Sequence, residues 1–542
     1  MITELDFSLS RIPPYKHQRE DTLEMVNHPF LFITSEMRTG KTKIVIDAAQ
    51  FLFKLGLINR VIVVGPEPVR GVWFDPNTGQ LKKHLWRETS AWVTEYHSDV
   101  RQWRWGPEPE GTNVLKFVVT NYEFLRPYTD KNQNVIDANL KGLLPYATPK
   151  TLLVLDESGA ITNHKSEQYK SCYKIRKKCG RVVLLNGTPM DTPLHLFAQG
   201  NMLHESILEC PYITHFKARH AIMGGFKVGA VRKKHADGSV SFEGGRPTQI
   251  IGWTNLEDLQ RRFAPYTIRR LQKNCLDIPP KLEPVTIPVT MSQTSWRAYC
   301  DMRDEMVVML EGGNASIAQQ QITKIMRLAQ ITSGFLGGIA DAGLSDDDAI
   351  PVANVREIGR EKLDLVLWLT RTQIEKDPNL KIVVWVRFKP ELDRMLAAVR
   401  KQFPQMIVAG ISGGQKKAER KDALELLNPD TAPEGPVFFA GTFGTGSFGL
   451  DFSASHTNVN CSYDYSLRKF LQAGDRVYGP GQKHPVSYFD LVARGPKGQR
   501  TIDDIILTAR RGKANISDWT TAAWVRALRD EDSPLNQIDL SA

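Results

Sequence analysis

Short apolar runs bounded by turn residues punctuate the first part of the chain, at Phe30 to Thr34, Val61 to Gly65, Val114 to Thr120, Thr151 to Asp156 and Arg181 to Asn186. Brief runs that are apolar throughout, rather than alternating, predict strands buried on both faces of a parallel sheet. Between them, Thr42 to Leu55 and Ser166 to Lys178 carry helical patterning, so β and α elements alternate as in a doubly wound sheet. A second set of apolar runs follows at Lys381 to Val386, Met406 to Gly410, Val437 to Ala440, Thr457 to Cys461 and Val486 to Val492. The pattern predicts an α/β protein with two lobes, each a parallel sheet flanked by helices. The stretch between the lobes has a different texture. Amphipathic helical patterns at Leu256 to Phe263, Ser292 to Leu310 and Ile317 to Gln330 are interrupted by the stiff Ile278-Pro279-Pro280-Lys281, which suggests helical insertions and a linker. Gly224 to Gly252 predicts a β excursion turning at Asp237-Gly238, with Lys227, Arg232, Lys233, Lys234 and Arg246 along it. It reads as a solvated surface hairpin ahead of a DNA-touching one.

Length and composition narrow the picture without changing it. At 542 residues the chain is too long for a lone binding module and suits several domains. Hydrophobic residues at 41% and charged residues at 24% exclude wholesale disorder and fibrous repeats. The net charge of +10 favours a polyanionic partner. Six cysteines without a C-x-x-C pair imply reduced thiols and no structural zinc. The first ten residues, with Glu4 and Asp6, do not read as a secretory signal, and no apolar run approaches the roughly 20 residues that cross a bilayer. A soluble, non-secreted, cytoplasmic protein with no membrane partner is expected.

Two motifs carry chemistry. After the strand ending near Thr34 comes Ser35-Glu36-Met37-Arg38-Thr39-Gly40-Lys41-Thr42 and then a helix. This is a phosphate loop in which helix-start amides point at phosphates, Lys41 supplies a mobile cation and the Thr42 hydroxyl can ligate magnesium. Ser35 stands where the first glycine of the G-x-x-x-x-G-K-[ST] pattern is expected. Downstream, the strand of Leu152-Leu153-Val154-Leu155 delivers Asp156-Glu157 at its carboxyl end, where α/β sheets place ligands. Asp156 would hold magnesium through water, and Glu157 would orient and deprotonate the attacking water.

With these residues in place, the chain resembles the helicase-like superfamily two of nucleic-acid motors, and in particular its Swi/Snf-related branch of DNA translocases. The resemblance extends over nearly the whole chain. Tyr15-Lys16-His17-Gln18 looks like the family's adenine-reading segment, Glu36-Met37 with Gly40-Lys41-Thr42 its motif I, and Gly65-Pro66 with Trp73 its motif Ia. Thr120-Asn121-Tyr122-Glu123 is similar to motif Ib, Asp156-Glu157-Ser158-Gly159 with Ile161, Asn163, Lys165 and Ser166 to an extended motif II, and Leu185-Asn186-Gly187-Thr188-Pro189 to motif III. Pro265-Tyr266-Thr267-Ile268-Arg269-Arg270 followed by Ile278-Pro279-Pro280-Lys281 resembles the segment that joins the two lobes in this branch. Val383 to Phe388 is similar to motif IV, and Gly413 with Arg420 to the motif after it. Gly446-Ser447-Phe448-Gly449-Leu450-Asp451-Phe452 resembles motif V, and Gln472-Ala473-Gly474-Asp475-Arg476 with Gly481-Gln482 motif VI, with Thr501-Ile502-Asp503 as its usual tail.

The resemblance implies two RecA-like lobes and an ATP hydrolase that moves along or remodels duplex or branched DNA, independent of sequence, with ATP and magnesium as cofactors. It implies nucleotide contacts from Gln18, Ser35, Arg38, Thr39, Gly40, Lys41, Thr42, Gly449, Asp451 and Gln472. It also implies magnesium held by Thr42 and Asp156, and DNA contacts from Pro66, Thr120, Asn121, Thr188, Gly413 and Ser447. Arg476 would supply the charge that reaches the γ-phosphate when lobes close. Two departures stand out. The family has a second arginine three positions past Arg476, where this chain has Gly479, and it usually has glycine at Arg38.

The expected organisation is an ATP-binding lobe over 1–205, an insertion over 206–275, a linker with a second helical protrusion over 276–350, a second lobe over 351–520 and a tail over 521–542. A monomer is favoured. The basic runs Lys174 to Lys178 and Lys416 to Lys421 read either as a phosphate-tracking groove or as solvated helix faces. Trp103 and Trp105 read as packing residues before base-stacking ones. An ATP-gated DNA clamp with weak hydrolysis, owing to Gly479, is the alternative from another class, and strand separation is a third possibility. Without a zinc module or chromatin-reading domain, histone remodelling is not expected, while replication, recombination and repair stay open.

Overall fold

The computed structural model describes residues 2–75, 79–96, 113–129, 135–187, 192–234, 240–276, 278–311, 326–339, 352–413, 415, 417–445, 451–463, 467–504 and 506–507. They fall into two compact units, the first running to Leu271 and the second starting at Gln272.

The first unit contributes strands β1 (Phe30–Ile33), β2 (Arg60–Gly65), β3 (Ala91–Glu95) and β4 (Leu115–Asn121), a small antiparallel pair β5 (Tyr128–Thr129) and β6 (Val135–Ile136), then β7 (Thr151–Leu155), β8 (Arg181–Leu185), a long antiparallel ribbon of β9 (Ala221–Lys234) and β10 (Val240–Trp253), and β11 (Thr267–Ile268). Seven of these form one sheet in the order β11-β1-β8-β7-β2-β4-β3, every pairing parallel. The apolar runs are buried on both faces for the reason their composition implied. Leu153, Leu155 and Leu184 face a core containing Phe197 and Phe216, while Val154, Val183 and Leu185, pointing the other way, are equally buried. Leu259 and Phe263, on the helix Leu256–Phe263, enter that same core, so this amphipathic segment packs on the first sheet.

The second unit contributes β12 (Val285–Thr290), an antiparallel pair β13 (Phe335–Ile339) and β14 (Val352–Glu357), then β15 (Lys381–Val386), β16 (Ile407–Ile411), β17 (Val437–Thr442), β18 (Thr457–Asn460) and β19 (Ser487–Arg494). Its sheet runs β12-β19-β18-β15-β17-β16, again wholly parallel. Successive residues of β15 serve opposite faces. Ile382, Val384 and Val386 meet the helices Glu361–Lys376 and Lys389–Gln402, whereas Val383 and Trp385 meet Phe439, Phe452 and Ala473.

The expected strands are all present, and the differences lie at the sheet edges. β3, β11 and β12 carry no continuous apolar run because each is an edge strand paired on one side only; β12 is largely exposed and contains Pro288, tolerable only at an edge. The stretch expected to be helical insertion and linker therefore also contains sheet. Ser292 to Leu310 appears as the helix Gln293–Glu311, whereas most of Ile317 to Gln330 and the Asp237-Gly238 turn lie outside the described residues.

Candidate nucleotide site

Because the first sheet is parallel, β1, β8 and β7 end on the same edge, and their order places one strand between the phosphate loop and the motif II acids. Two inter-strand spacings separate β1 from β7 by about 10 Å, room for a phosphate chain and its cation. The loop after β1 is turned by two residues with left-handed backbone, Arg38 at φ 61 and Gly40 at φ 85. Gly40 is required for a second reason: a Cβ there would stand 2.1 Å from Nε2 of Gln18. Gln18 and His17, near the start of the helix Lys16–Asn27, both donate to the Thr39 carbonyl, at 3.2 and 2.8 Å. The Tyr15–Gln18 segment and the loop after β1 are thus bonded together.

Lys41 opens the helix Lys41–Lys54, and its ammonium donates to the carbonyls of Ser35 and Glu36 at 2.8 and 2.9 Å, folding back over its own loop. The Thr39 hydroxyl closes the loop by donating to the Glu36 carbonyl. A Cβ on Gly187, at the end of β8, would lie 3.2 Å from Lys41 Nζ and 2.7 Å from Met37, so motif III presses glycine against the loop because nothing larger fits. Ser35, the departure from glycine, is fully buried and its hydroxyl accepts from the Arg270 amide at 3.1 Å. Arg270 in turn binds Asp21 of the helix Lys16–Asn27 through Nε and Nη2 at 2.9 and 2.6 Å.

Asp156 follows β7, 8% exposed. Its Oδ2 accepts from the Trp73 indole at 2.7 Å, its Oδ1 from the Glu157 amide at 2.9 Å, and its carbonyl from the Tyr122 hydroxyl at 2.8 Å. Burial, reinforced by the Glu157 carboxylate, pushes the Asp156 carboxyl up to about 6, against the pull of the Trp73 N–H and the Lys41 charge. Glu157 itself sits at φ 48, ψ 48, a left-handed backbone that costs of order 1 kcal/mol for a non-glycine residue and concentrates at functional sites. The Thr42 hydroxyl and the Asp156 carboxylate are hard oxygen donors of the kind magnesium takes beside phosphate and water. Among the described residues no cluster of three or more His, Cys, Asp or Glu side chains could hold a metal.

The other expected residues are placed as follows. Pro66 caps the helix Glu67–Phe74 at the exit of β2. Thr120 is fully buried, its hydroxyl donating to the Tyr96 carbonyl at 2.7 Å, and Asn121 is buried with its amide on Glu123. The Thr120 hydroxyl is therefore spent inside the lobe instead of being offered to a nucleic acid. In the second unit Arg476 and Gln472 are buried, at 4% and 1% exposure, with Gln472 on the helix Leu467–Gly474. The Arg476 carbonyl accepts from the Phe452 amide at 2.9 Å, Asp451 caps the Ser453 amide at 3.0 Å, and Gly413 lies in the turn after β16. Gly479 is buried, its carbonyl accepting from the Gln482 amide. Thr188, Ser447 and Gly449 lie outside the described residues, as do Trp103, Trp105 and Lys416. Residue spacing gave no indication of Trp73, Tyr122 and Arg270 as supports of the site. All three lay within family-like motifs but carried no role of their own.

The family model of the SNF2-related domain matches residues 23–334, more than half of the chain. The chain belongs to the SNF2-related domain family. It is 22% identical over 497 residues to Protein CHROMATIN REMODELING 4 of Arabidopsis thaliana, covering 87% of this chain and 19% of that protein. It is 23% identical over 401 residues to human TATA-binding protein-associated factor 172, covering 67% and 20%. The chain therefore spans about a fifth of the length of these SNF2-related relatives. Among solved structures, the Sulfolobus solfataricus SWI2/SNF2 ATPase core in complex with dsDNA aligns over 97% of each chain at 16% identity and a TM-score of 0.40.

Proposed function

We propose that this SNF2-related chain is an ATP-hydrolysing motor that translocates on, or remodels, duplex or branched DNA, with magnesium-ATP bound at the phosphate loop of the first unit. The observation that carries the reading is the Lys41 ammonium, folded over its loop and confronted by Gly187, on the same sheet edge as the Asp156–Glu157 pair. In this reading Lys41 leaves the Ser35 and Glu36 carbonyls for the phosphates, the loop amides hold them, and Glu157 takes the proton of the attacking water. Magnesium, when bound, would draw charge from the phosphates, with Thr42 and Asp156 as its protein-side partners. In this reading Arg476 of the second unit is the residue whose charge serves the γ-phosphate. The net charge of +10 agrees with a polyanionic track, and the motifs that resemble those of DNA translocases point to duplex DNA as that track.

The test is the rate of phosphate release from the purified chain with and without duplex, single-stranded and forked DNA across a salt series. Duplex or forked DNA is expected to raise the rate, with stimulation fading as salt rises. Lys41→Ala is expected to lower turnover by roughly 10³-fold, and Glu157→Gln to leave ATP binding while stopping hydrolysis. Hydrolysis indifferent to every DNA added would sink the reading.

Gly479 favours a second reading, a clamp that tightens on DNA when ATP binds and hydrolyses slowly, because a buried glycine stands where the family carries its second arginine. DNA affinity raised by ATP without phosphate release would select it.

A further inference from the structure

Trp73 is fully buried near the end of the helix Glu67–Phe74, and its indole N–H reaches across 83 residues of sequence to Oδ2 of Asp156 at 2.7 Å. A ring needed only to fill space would place its N–H on any convenient carbonyl. Here the acceptor is the Asp156 carboxylate, at the short distance of a charge-assisted bond. The helix that carries Trp73 is itself pinned. Arg70, one turn earlier, is buried and paired with both Glu67 and Glu95, and Val69 packs against Gly65 at the exit of β2. The other carboxylate oxygen is fixed by the Glu157 amide at 2.9 Å, so among the described residues each oxygen has one neutral N–H donor and keeps lone-pair capacity for a further partner. Neutral donors set the rotamer without cancelling the negative charge, which a lysine or arginine in the same place would do.

We propose that Trp73 is a positioning residue for the metal: its N–H fixes the Asp156 carboxylate in the orientation that receives magnesium-bound water. This rests on the proposed function, since it takes the first unit to be a magnesium-nucleotide site. Donors behind a metal-facing carboxylate typically change metal affinity 10- to 100-fold when removed.

The experiment uses the full chain and manganese as a paramagnetic stand-in for magnesium. Manganese binding is titrated by electron paramagnetic resonance in the presence of saturating ADP, and ADP binding is measured separately without metal. Trp73→Phe keeps the aromatic volume and deletes the donor. It is expected to weaken manganese binding about 10-fold or more while leaving metal-free ADP affinity within about twofold. Asp156→Asn is expected to weaken manganese binding at least as much, and the double variant to add nothing further, as required when one residue acts through the other. Trp73→His, which retains a ring N–H, is expected to fall between wild type and Trp73→Phe; should the phenylalanine variant fail to fold, His is compared with Leu instead. Manganese affinity unchanged in Trp73→Phe, or losses in the double variant that simply add, would overturn the assignment. A wild-type chain that binds no nucleotide would fail at the ADP step instead, removing the underlying reading and the role of Trp73 together.

Discussion

In the first unit the connecting chain is held by two residue pairs and an ion pair, whereas in the second it is held by a six-residue ladder. Thr267 and Ile268 lie parallel to Phe32 and Ile33, and the strap continues past the sheet as Thr34 and Glu36 donate to the Ile268 and Arg270 carbonyls at 2.8 and 2.9 Å. Its side-chain anchor is Arg270 on Asp21 at 2.6 Å, with Glu20 at 3.0 Å. On the second unit, Lys281 bridges Val486, and Val285 to Thr290 then pair residue for residue with Phe489 to Arg494. Its side-chain tie, Lys281 to Asp475 at 2.8 Å, lies beside the motif VI arginine but is 39% and 19% exposed. Backbone pairing thus secures the second attachment. The first combines a two-residue pairing with one arginine anchor and is bonded directly to the Ser35–Thr42 loop through Ser35 and Glu36.

Substitutions at the anchors can break this contrast, and the largest effect belongs to a buried ion pair behind the second ladder, whose carboxylate holds the amide of Ala493, the partner of Val289. Lys362 and Asp503 pair at 2.6 Å with 3% and 2% exposure, and the Asp503 carboxylate also accepts from Thr332 and the Ala493 amide. Lys362→Met strands a buried carboxylate, and a loss of about 3–5 kcal/mol is expected in denaturant unfolding of the second unit. Arg270→Ala comes next, because Asp21 is fully buried while Arg270 is 32% exposed and partly screened. About 2 kcal/mol should be lost from the first unit, together with weaker ATP binding, because the residue-270 backbone that Ser35 and Glu36 bond loses its side-chain anchor on Asp21. Lys281→Ala should cost under about 1 kcal/mol and leave ATP affinity alone. If Lys281→Ala weakened ATP binding as much as Arg270→Ala, the claimed difference between the two attachments would be wrong.

How far the sequence reveals this arrangement follows from what each part has to satisfy. Strands such as Leu152 to Leu155 are legible because both faces are buried and the composition must be apolar throughout. The phosphate loop and Asp156-Glu157 are legible because phosphate chemistry needs those residue types at fixed chain positions. The supports are not. Trp73 meets Asp156, and Arg270 meets Asp21 across 249 positions, through pairings that only the folded sheet creates, and a tryptophan or arginine carries no local signature of its distant acceptor. The Pro265 to Arg270 segment was visible as a family-like joining sequence. That it closes the edge of β1 was not, since a two-residue strand has no periodicity to detect.

The finest test of the contrast between units is acid stability, through His84 of the first unit. His84 is buried beside the Lys43–Asp47 ion pair region, its Nε2 meeting Gln80 Oε1 at 3.1 Å. Burial, aided by the charges of Lys43 and Lys83, lowers the imidazole from 6.5 to about 4. The unfolded chain therefore takes up a proton near pH 6.5 that the folded unit refuses until about pH 4. The stability contributed by the neutral ring is complete above 6.5 and lost as pH falls through that window. Asp47 works against this trend, because burial raises its carboxyl and acidification relieves that penalty. The comparison must therefore be made between wild type and His84→Gln, which keeps a polar side chain that does not titrate. The variant should show a shallower decline in unfolding free energy between pH 6.5 and 4, by up to about 1.4 kcal/mol per pH unit, the slope of a single proton. In the second unit His456 is also lowered by burial, but Asp377 at 3.8 Å pulls the other way, so His456→Gln should alter the slope less. Equal changes in the two variants would mean that acid sensitivity is shared evenly between the units, and that the polar cluster behind the phosphate loop has no special part in it.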